Sequence, residues 1–428
     1  MWISVQQVHQ PMETLNFLTE AQAKQAASTI GTPCYIYSRA TIEQRAAEVL
    51  AFPNAYGFNA RYALKANPNI AILKLIENAG LHFDASSEYE VMRCLHAGIP
   101  AEKIQLTGQQ FPRKFLKQII EAGVLYNACS LNQLEQFGQA FPGSNVSFRI
   151  NPGTGSGSNR KTNVGGESAS FGIWHEYTDK VQEIADKYDL KITRIHSHIG
   201  SGSDPEVWKG VTEMTLAQAD KFPLVHTVNL GGGFKVARMS SEKSTDLQEV
   251  GEFVKNVFTS HAEKTGNEYK LEIEPGTYLS ANCGSLIAEV DDVVDTGDKG
   301  YDFLKLNTGM DTITRPALYG SEHPIVVLND SDKTKDYVIC GHCCESGDVF
   351  TVDDSDTILP RTVKEAQIGD LVVIEGAGAY CAAMSLKNYN SFPTTPQLLL
   401  DNDGSFKTIL GEETLDAMFS KEIIPDFA

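Results

Sequence analysis

Strand-like and helix-like segments alternate from Tyr62 to about Gly276, and this alternation restricts the chain to a few α/β folds. Helical spacing fills several intervals, as in NIAILKLIENAG, where Ile72, Ile76 and Ala79 share one face. Eight such steps over roughly 200 residues predict a (β/α)8 barrel of the TIM type. A doubly wound open sheet is the structural alternative, but it usually has fewer strands. The strand candidates are YALKA (62–66), LHFDAS (81–86), KIQLTG (103–108), LYNAC (125–129), NVSFRI (145–150), ITRIHSHI (192–199), HTVNL (226–230) and YKLEIE (269–274).

The pattern changes after about residue 280, where short β-type runs are separated by turn signals. We therefore expect a separate all-β domain made of residues 281–428 and 1–35, with an N-terminal strand, into which a barrel of residues 36–280 is inserted. The glycine- and serine-rich segment 151–172 follows a barrel strand, and long connections of this kind are often functional. The β-type runs are SLIAEVDDVVDTG, DFLKLNTG, PIVVLND, DYVICG, DTILP and DLVVIEG.

Composition excludes several classes of protein. A formal net charge of -19 argues against nucleic acid and anionic membranes as partners. The N-terminus lacks the basic and apolar parts of a leader, and no apolar run is long enough to span a membrane, so we expect a cytoplasmic protein. The 8 cysteines are scattered, as is typical of free thiols in a reducing compartment. Cys340 and Cys343 flank His342, but no second ligand pair follows, so no metal is expected.

Residues able to carry chemistry cluster at the carboxyl ends of the predicted strands, which is the catalytic face of a barrel. A lysine at the end of an apolar strand can lose its proton more easily and attack an aldehyde. A triple glycine can cradle a phosphate with its backbone N–H groups, although loops also use glycine for turns. Taken alone, His198 would be a structural histidine and Glu274 a surface carboxylate at the end of a strand. The residues at this face are Lys65, Asp84, Ser87, His196, His198, Gly200, Ser201, Gly231, Gly232, Gly233, Glu274 and Gly276.

Pyridoxal 5'-phosphate (PLP) needs each of these groups. A lysine holds its aldehyde, glycine turns hold its phosphate, a flat side chain stacks on its ring, and a carboxylate keeps its ring nitrogen protonated. A protonated ring stabilises the carbanion that forms when an amino acid loses its carboxylate.

Motifs over most of the chain then carry a resemblance to a known family. They are YALKAN (62–67), RINPGTGSGSNRKTNVGGE (149–167), HSHIGSG (196–202), NLGGG (229–233), EPG (274–276), RPALYG (315–320), CESGDVF (344–350), GAY (378–380) and YNSFP (389–393). With these motifs the chain resembles the PLP-dependent decarboxylases of the alanine-racemase-like barrel type. The resemblance implies decarboxylation of meso-diaminopimelate to L-lysine and carbon dioxide, as a step of lysine biosynthesis.

The resemblance also implies roles for individual residues. Lys65 would form the Schiff base and His198 would stack on the ring, while Glu274 would pair with the pyridine nitrogen. Cys344 would deliver a proton and Glu345 would hold the distal amino group of the substrate. Both would come from a partner subunit, so a homodimer with shared active sites is expected. Further cofactor contacts would be Asp84, Ser201, Gly231, Gly232, Gly233, Gly276 and Tyr380, and further substrate contacts Thr277, Arg315, Tyr319 and again Tyr380.

Two positions depart from the family pattern. Thr277 stands where the family usually has an arginine that grips the far carboxylate, and Glu322 stands where an aromatic residue is expected. Threonine cannot form a bidentate charged contact with a carboxylate. Arg315 alone would then bind that carboxylate, or Arg160 or Lys161 would take the place of the missing arginine. Otherwise the substrate is another diamino acid or a carboxylated polyamine. A racemase and a catalytically inactive relative that binds partners are the remaining alternatives.

Overall fold

The computed structural model describes residues 12–155, 165–198, 200 and 205–427, and these form two compact units. The barrel unit comprises Arg39–Val236 and Lys243–Ser280. The β unit comprises the residues up to Ser38, the segment Ala237–Glu242 and the residues from Ala281 onward. The chain therefore enters the barrel unit and returns from it to the β unit.

The strands alternate with helices in the first two thirds of the described chain and dominate the last third. The strands are β1 (Cys34–Ser38), β2 (Phe58–Ala63), β3 (His82–Ala85), β4 (Ile104–Leu106), β5 (Leu125–Ala128), β6 (Asn145–Asn151), β7 (Ile173–Trp174), β8 (Lys191–Ser197), β9 (Thr227–Asn229), β10 (Lys270–Ile273), β11 (Gly284–Asp295), β12 (Asp302–Leu306), β13 (Ile325–Leu328), β14 (Thr334–Cys340), β15 (Arg361–Lys364), β16 (Leu371–Ile374), β17 (Gln397–Leu400) and β18 (Phe406–Leu410). The helices are α1 (Glu20–Ile30), α2 (Arg39–Leu50), α3 (Ile70–Asn78), α4 (Glu88–His96), α5 (Leu116–Glu121), α6 (Leu131–Ala140), α7 (Thr178–Tyr188), α8 (Pro205–Ala219), α9 (Leu247–Thr265), α10 (Thr277–Ser280), α11 (Arg315–Tyr319) and α12 (Leu415–Phe419).

Eight parallel strands close into a barrel in the order β2, β3, β4, β5, β6, β8, β9, β10. Closure follows because β10 pairs with β2, where Ile273 lies opposite Ala60, while β5 pairs with β6. Each of the eight strands overlaps one of the predicted segments, so the predicted TIM-type barrel is confirmed and the open sheet is excluded.

Helix α4 illustrates how the sequence starts a barrel helix. The Ser87 side chain accepts a hydrogen bond from the Glu90 N–H, which satisfies one of the free donors of the first turn. Val91 and Cys94 then face the interior, because residues three apart share one side of a helix. Ser87, which stood among the residues of the predicted catalytic face, is therefore a helix cap.

Two predicted boundaries and one predicted strand were wrong. Strand β2 ends at Ala63, and Lys65 lies in a short three-ten turn, Leu64–Ala66, because the chain must reverse before the Asn69 cap of α3. Strand β8 ends at Ser197, so His198 follows it. The segment DTILP contributes only a single bridge, from Ile358 to Val352, since its proline has no N–H for a ladder.

In the β unit, an N-terminal strand joins the C-terminal sheet as predicted. Strand β1 pairs antiparallel with β11 and parallel with β17. Helix α1 packs its buried Ala23 and Ala26 into the apolar core formed around Ile36, Ile287 and Leu398. This unit is a mixed sheet with helix α1 packed on it, and the C-terminal pattern could not show that helix.

The barrel interior contains a buried ion network. Arg61, with 1% of its surface exposed, donates from Nε and Nη2 to the two carboxylate oxygens of Glu272 at 3.0 Å each. Arg194 contacts the same carboxylate. Burial lowers the pKa of Arg61 to about 10. One carboxylate is thus shared by two enclosed guanidinium groups.

Replacing Glu272 by leucine should lower the free energy of unfolding by about 3–5 kcal/mol, because two buried guanidinium groups lose their carboxylate. Urea unfolding followed by circular dichroism measures the change. The control is Glu121→Gln, whose partner Lys117 lies 3.7 Å away in an exposed pair. That variant should change the free energy by less than about 0.5 kcal/mol. Equal effects of the two substitutions would contradict the network's contribution.

Candidate active site

A carboxylate with three polar neighbours lies at the carboxyl end of β10. Glu274 Oε1 accepts from Gln105 Nε2 at 2.9 Å and from Asn229 Nδ2 at 2.7 Å. Its Oε2 lies 3.2 Å from His196 Nε2. The neighbours come from β4, β9 and β8, so the side chain is fixed by three strands besides its own.

His196 lies between Asn127 and Glu274. Its Nδ1 lies 2.8 Å from Asn127 Nδ2 and its Nε2 lies on the side of Glu274. Burial lowers the pKa of His196. Burial also opposes ionisation of Glu274, but His196, His198 and Lys65 outweigh it and hold the pKa of that carboxyl well below its usual range.

Asp84 is the second buried carboxyl group at this face. Its Oδ1 accepts from Thr107 Oγ1 at 2.7 Å and from Gln105 Nε2 at 3.2 Å. Burial and the neighbouring charge of Glu274 raise the pKa of Asp84 to about 8. The pair therefore carries one negative charge near neutral pH, and that charge lies on Glu274.

Lys65 lies in the electrostatic field of both carboxyl groups. Its charge lowers the pKa of Glu274 and of Asp84, and it contributes to the lowered pKa of His198, where burial is the largest cause. The side chain of Lys65 is exposed, however, so the expected desolvation of this amine is wrong for this structure. The three-ten turn carries it past the end of the apolar strand.

The glycine turn after β9 packs closely against its neighbours. Gly231 has φ +70, and a Cβ added there would lie 2.7 Å from His198 Cβ. A Cβ on Gly232 would lie 2.4 Å from the Glu274 carbonyl oxygen, and the Gly232 N–H donates to His198 Nδ1 at 3.2 Å. The structure thus brings the glycines, His198 and Glu274 together. Gly233 follows in the same turn at φ +111.

The remaining predicted residues of the barrel unit have simpler environments. Gly276 is buried, and its carbonyl accepts from Ser280 Oγ at 3.1 Å. Thr277 begins helix α10 and is half-buried. Ser201, Arg160 and Lys161 lie outside the described residues.

The predicted substrate contacts Arg315, Tyr319 and Tyr380 lie in the β unit. Arg315 Nη2 lies 3.2 Å from Ser321 Oγ, and its guanidinium is 5.8 Å from the ring centroid of Tyr319. Tyr380 has φ 57, a backbone conformation that is strained for a bulky residue and occurs preferentially at functional sites. Glu322, the second departure from the family pattern, accepts from Arg361 Nη2 at 2.7 Å. It is therefore one half of an ion pair.

Hydrogen bonds to Asp348 stabilise the turn that carries Cys344 and Glu345. The Asp348 carboxylate accepts from the Cys343 N–H at 2.9 Å and the Met310 N–H at 2.8 Å. Cys344 and Glu345 are exposed. Of the adjacent cysteines Cys343 and Cys344, only Cys343 is buried.

A cluster of Asp311, His342 and Cys343 lies next to this turn. Their ligand-type atoms all lie within 4.8 Å of one another. His342 Nε2 is 2.9 Å from Asp311 Oδ1, and the His342 ring stacks on Phe392 with centroids 3.7 Å apart. A carboxylate, an imidazole and a thiol are possible metal ligands, so the prediction that the chain binds no metal stays a prediction.

Sequence reasoning missed the polar residues that hold the carboxylates. Each lies in a barrel strand or directly after one, and a buried polar side chain inside an apolar strand was the available signal. Arg149 adds a buried charge to the same face, and its guanidinium lies 5.2 Å from the Phe171 ring centroid. The missed residues are Gln105, Thr107, Asn127, Arg149 and Asn229.

Comparison with known proteins agrees with this arrangement. Residues 39–281 match the family model described as pyridoxal-dependent decarboxylase, pyridoxal binding domain. The diaminopimelate decarboxylase of Streptomyces coelicolor is 36% identical over 411 residues, covering 94% of this chain and 91% of that protein. A crystal structure of diaminopimelate decarboxylase matches with a TM-score of 0.88 at 32% identity, covering 96% of this chain and 99% of the other. The Helicobacter pylori diaminopimelate decarboxylase complexed with L-lysine matches with a TM-score of 0.83 at 26% identity, covering 93% and 98%.

The family match over residues 39–281 shows a pyridoxal-dependent decarboxylase, a carboxy-lyase, and the closed barrel agrees with that class. The chain belongs to this family and, within it, to the diaminopimelate decarboxylases. In the described part of the chain, no helix is both long and apolar enough to cross a membrane.

Replacing Asp84 by asparagine should flatten the pH dependence of stability. Between about pH 4 and pH 8 folded Asp84 retains a proton that the unfolded chain releases, so the free energy of unfolding falls as pH rises. The variant lacks this contribution and should lose less stability than the wild type between pH 5 and pH 8. Urea unfolding of cofactor-free protein at both pH values measures it.

The exposed Asp179 provides the matched control. Asp179→Asn should follow the wild-type pH dependence. A steeper fall in stability for Asp84→Asn than for the wild type would contradict the assignment of the proton to Asp84.

Proposed function

We propose that this chain decarboxylates meso-2,6-diaminopimelate to L-lysine and carbon dioxide with PLP bound at the carboxyl face of its barrel. The observation that carries the proposal is the arrangement at the carboxyl face, where the glycine turn, His198 and the enclosed Glu274 lie together, and the opposite pKa shifts of the two buried carboxyl groups support it. Glu274 keeps its charge and Asp84 keeps its proton, within the field of Lys65.

The donor set fits this cofactor. When bound, PLP supplies an electron sink for the carbanion left by the departing carboxylate. Lys65 is the amine for its aldehyde, and His198 is a flat ring at the glycine turn. Ser201, Gly231–Gly233, Gly276 and Tyr380 are the proposed phosphate contacts. Glu274 is the proposed partner of the pyridine nitrogen, and its amide and imidazole neighbours support it because they stabilise the charged carboxylate.

A single negative charge at the ring nitrogen is what the chemistry requires. An ionised carboxylate favours the protonated pyridine, whereas two ionised carboxylates side by side would repel each other. The raised pKa of Asp84 avoids that repulsion. Asp84 therefore leaves the charge of Glu274 undisturbed.

On the substrate side, Arg315, Tyr319, Thr277 and Tyr380 are the proposed contacts. Cys344 is the proposed proton donor after carbon dioxide leaves, and Glu345 the proposed partner of the distal amino group. Both side chains are exposed in the single chain, which supports their delivery to a partner's site in a homodimer.

A second candidate keeps the chemistry and changes the substrate. Thr277 favours another diamino acid or a carboxylated polyamine, because a threonine offers no charge to a distal carboxylate. An inactive relative is disfavoured, since Lys65 and Cys344 are both retained.

The test of function is a panel of carbon dioxide release with meso-diaminopimelate, lysine, ornithine and carboxynorspermidine. The wild type should prefer meso-diaminopimelate. Lys65→Ala should lose turnover together with the visible absorbance of the bound cofactor, because no other amine is proposed to hold the aldehyde. The matched control is Lys117→Ala on the exposed face of α5, which should retain both. Retained turnover in Lys65→Ala, or a strong preference for a substrate without a distal carboxylate, would refute the proposal.

Shared active sites predict complementation between two inactive variants. Lys65→Ala and Cys344→Ala should each be nearly inactive alone. After mixing through reversible subunit exchange, about a quarter of wild-type turnover should return, because half of the random dimers contain one complete site of two. Persistent inactivity of a mixture shown by mass spectrometry to contain heterodimers would exclude sharing.

A further inference from the structure

An arginine that sequence reasoning did not single out lies beside Arg315 in the β unit. Arg238 belongs to the short segment Ala237–Glu242, which follows the glycine turn in the chain and packs with the β unit. Its Nε donates to the Gly376 carbonyl at 3.0 Å. A Cβ added to Gly376 would lie 2.8 Å from Arg238 Cγ, so the stem of the arginine lies against bare backbone. The guanidinium is therefore held in a defined position.

Both guanidinium groups have an enclosed nitrogen without a hydrogen-bond acceptor. These atoms are Arg238 Nη2 and Arg315 Nε. Within the described residues, neither arginine has a carboxylate oxygen within 4.0 Å, whereas Arg361 of the same unit pairs with Glu322. Burying a charged donor without an acceptor is unfavourable by several kcal/mol in general. Such a pair of donors is suited to an anion that is not part of the chain.

The charge around the pair has the same sign. After burial, Arg315 is the largest cause of the lowered pKa of Arg238. Burial, Arg238 and Arg315 lower the pKa of His323 well below its usual range. His323 is therefore neutral and does not offset the two positive charges. Glu242 is the nearby acid, but its Oε2 already accepts from the N–H groups of Arg238 and Met239 at 2.7 and 3.0 Å. The guanidinium groups of Arg238 and Arg315 therefore keep a positive charge that no carboxylate among the described residues pairs with.

We propose that Arg238 and Arg315 together bind the distal carboxylate of the substrate. The inference rests on the proposed function, in which Arg315 takes that end of the substrate. Arg238 supplies the second cation that Thr277 does not, and two guanidinium groups can bind both oxygens of one carboxylate. The segment after the glycine turn thus determines specificity. The phosphate of the cofactor is the other oxyanion that such donors fit, and the test separates the two.

The test uses holoenzyme with the substitution Arg238→Gln. Calorimetric titration with L-lysine, which retains the distal carboxylate after decarboxylation, should show a dissociation constant raised about 10- to 100-fold. Titration with cadaverine, which has no carboxylate, should change less than about twofold. For meso-diaminopimelate, KM should rise more than kcat falls, and Arg238→Lys should recover part of the loss because it keeps the charge.

The matched control is Lys243→Gln, which removes the same charge from an exposed side chain near the segment. It should leave both titrations unchanged. Equal weakening of L-lysine and cadaverine by Arg238→Gln would overturn the inference, and so would an unchanged L-lysine affinity. Weaker PLP retention with unchanged L-lysine binding would overturn it in favour of the phosphate. The proposed function fails separately, if the wild type releases no carbon dioxide from meso-diaminopimelate. The titrations measure binding and do not depend on that release.

Discussion

Two carboxylates on one strand organise the barrel interior. Glu272 and Glu274 lie two residues apart on β10 and its extension, so both side chains point to the same side of the sheet. Glu272 is bound by the guanidinium groups of Arg61 and Arg194, whereas Glu274 receives amide and imidazole donors. Gln105 joins the two levels, since its Oε1 accepts from Arg194 at 3.2 Å and its Nε2 donates to Glu274. The carboxylate of Glu272 is paired with guanidinium groups, whereas the carboxylate of Glu274 keeps its negative charge available.

This division explains why the catalytic face can be both rigid and charged. The Glu272 carboxylate is neutralised by its guanidinium partners, and its removal would leave their charges buried without a counterion. A carboxylate held by neutral amides and a neutral imidazole is stabilised without being neutralised, because dipoles add no net charge. In the proposed function, Glu274 would therefore attract a proton on the cofactor ring, and Asp84, protonated beside it, would not compete.

The sequence predicted the barrel strands more reliably than the environments of the motif residues. Each barrel strand was detectable because a run of apolar, β-branched residues ends in a polar or glycine turn, which is local information. The donors around Glu274 come from separate strands, and only barrel closure brings Gln105, Asn127 and Asn229 together. The exposure of Lys65 depends on a three-ten turn that the strand pattern conceals. Arg238 could not be recognised, since nothing in its own segment shows that it reaches Arg315.

The position of the cation matters for the substrate. An arginine at 277 would be carried by the barrel unit, but Arg238 packs with the β unit, as Arg315 does. Both guanidinium groups are then fixed on one body and need no separate alignment when a carboxylate binds, which reduces the ordering that binding requires. The unsatisfied donors destabilise the empty protein, and a carboxylate that satisfies them regains that free energy on binding. Loss of the usual arginine at Thr277 is therefore compatible with a dicarboxylic substrate, because the charge is retained elsewhere in the chain.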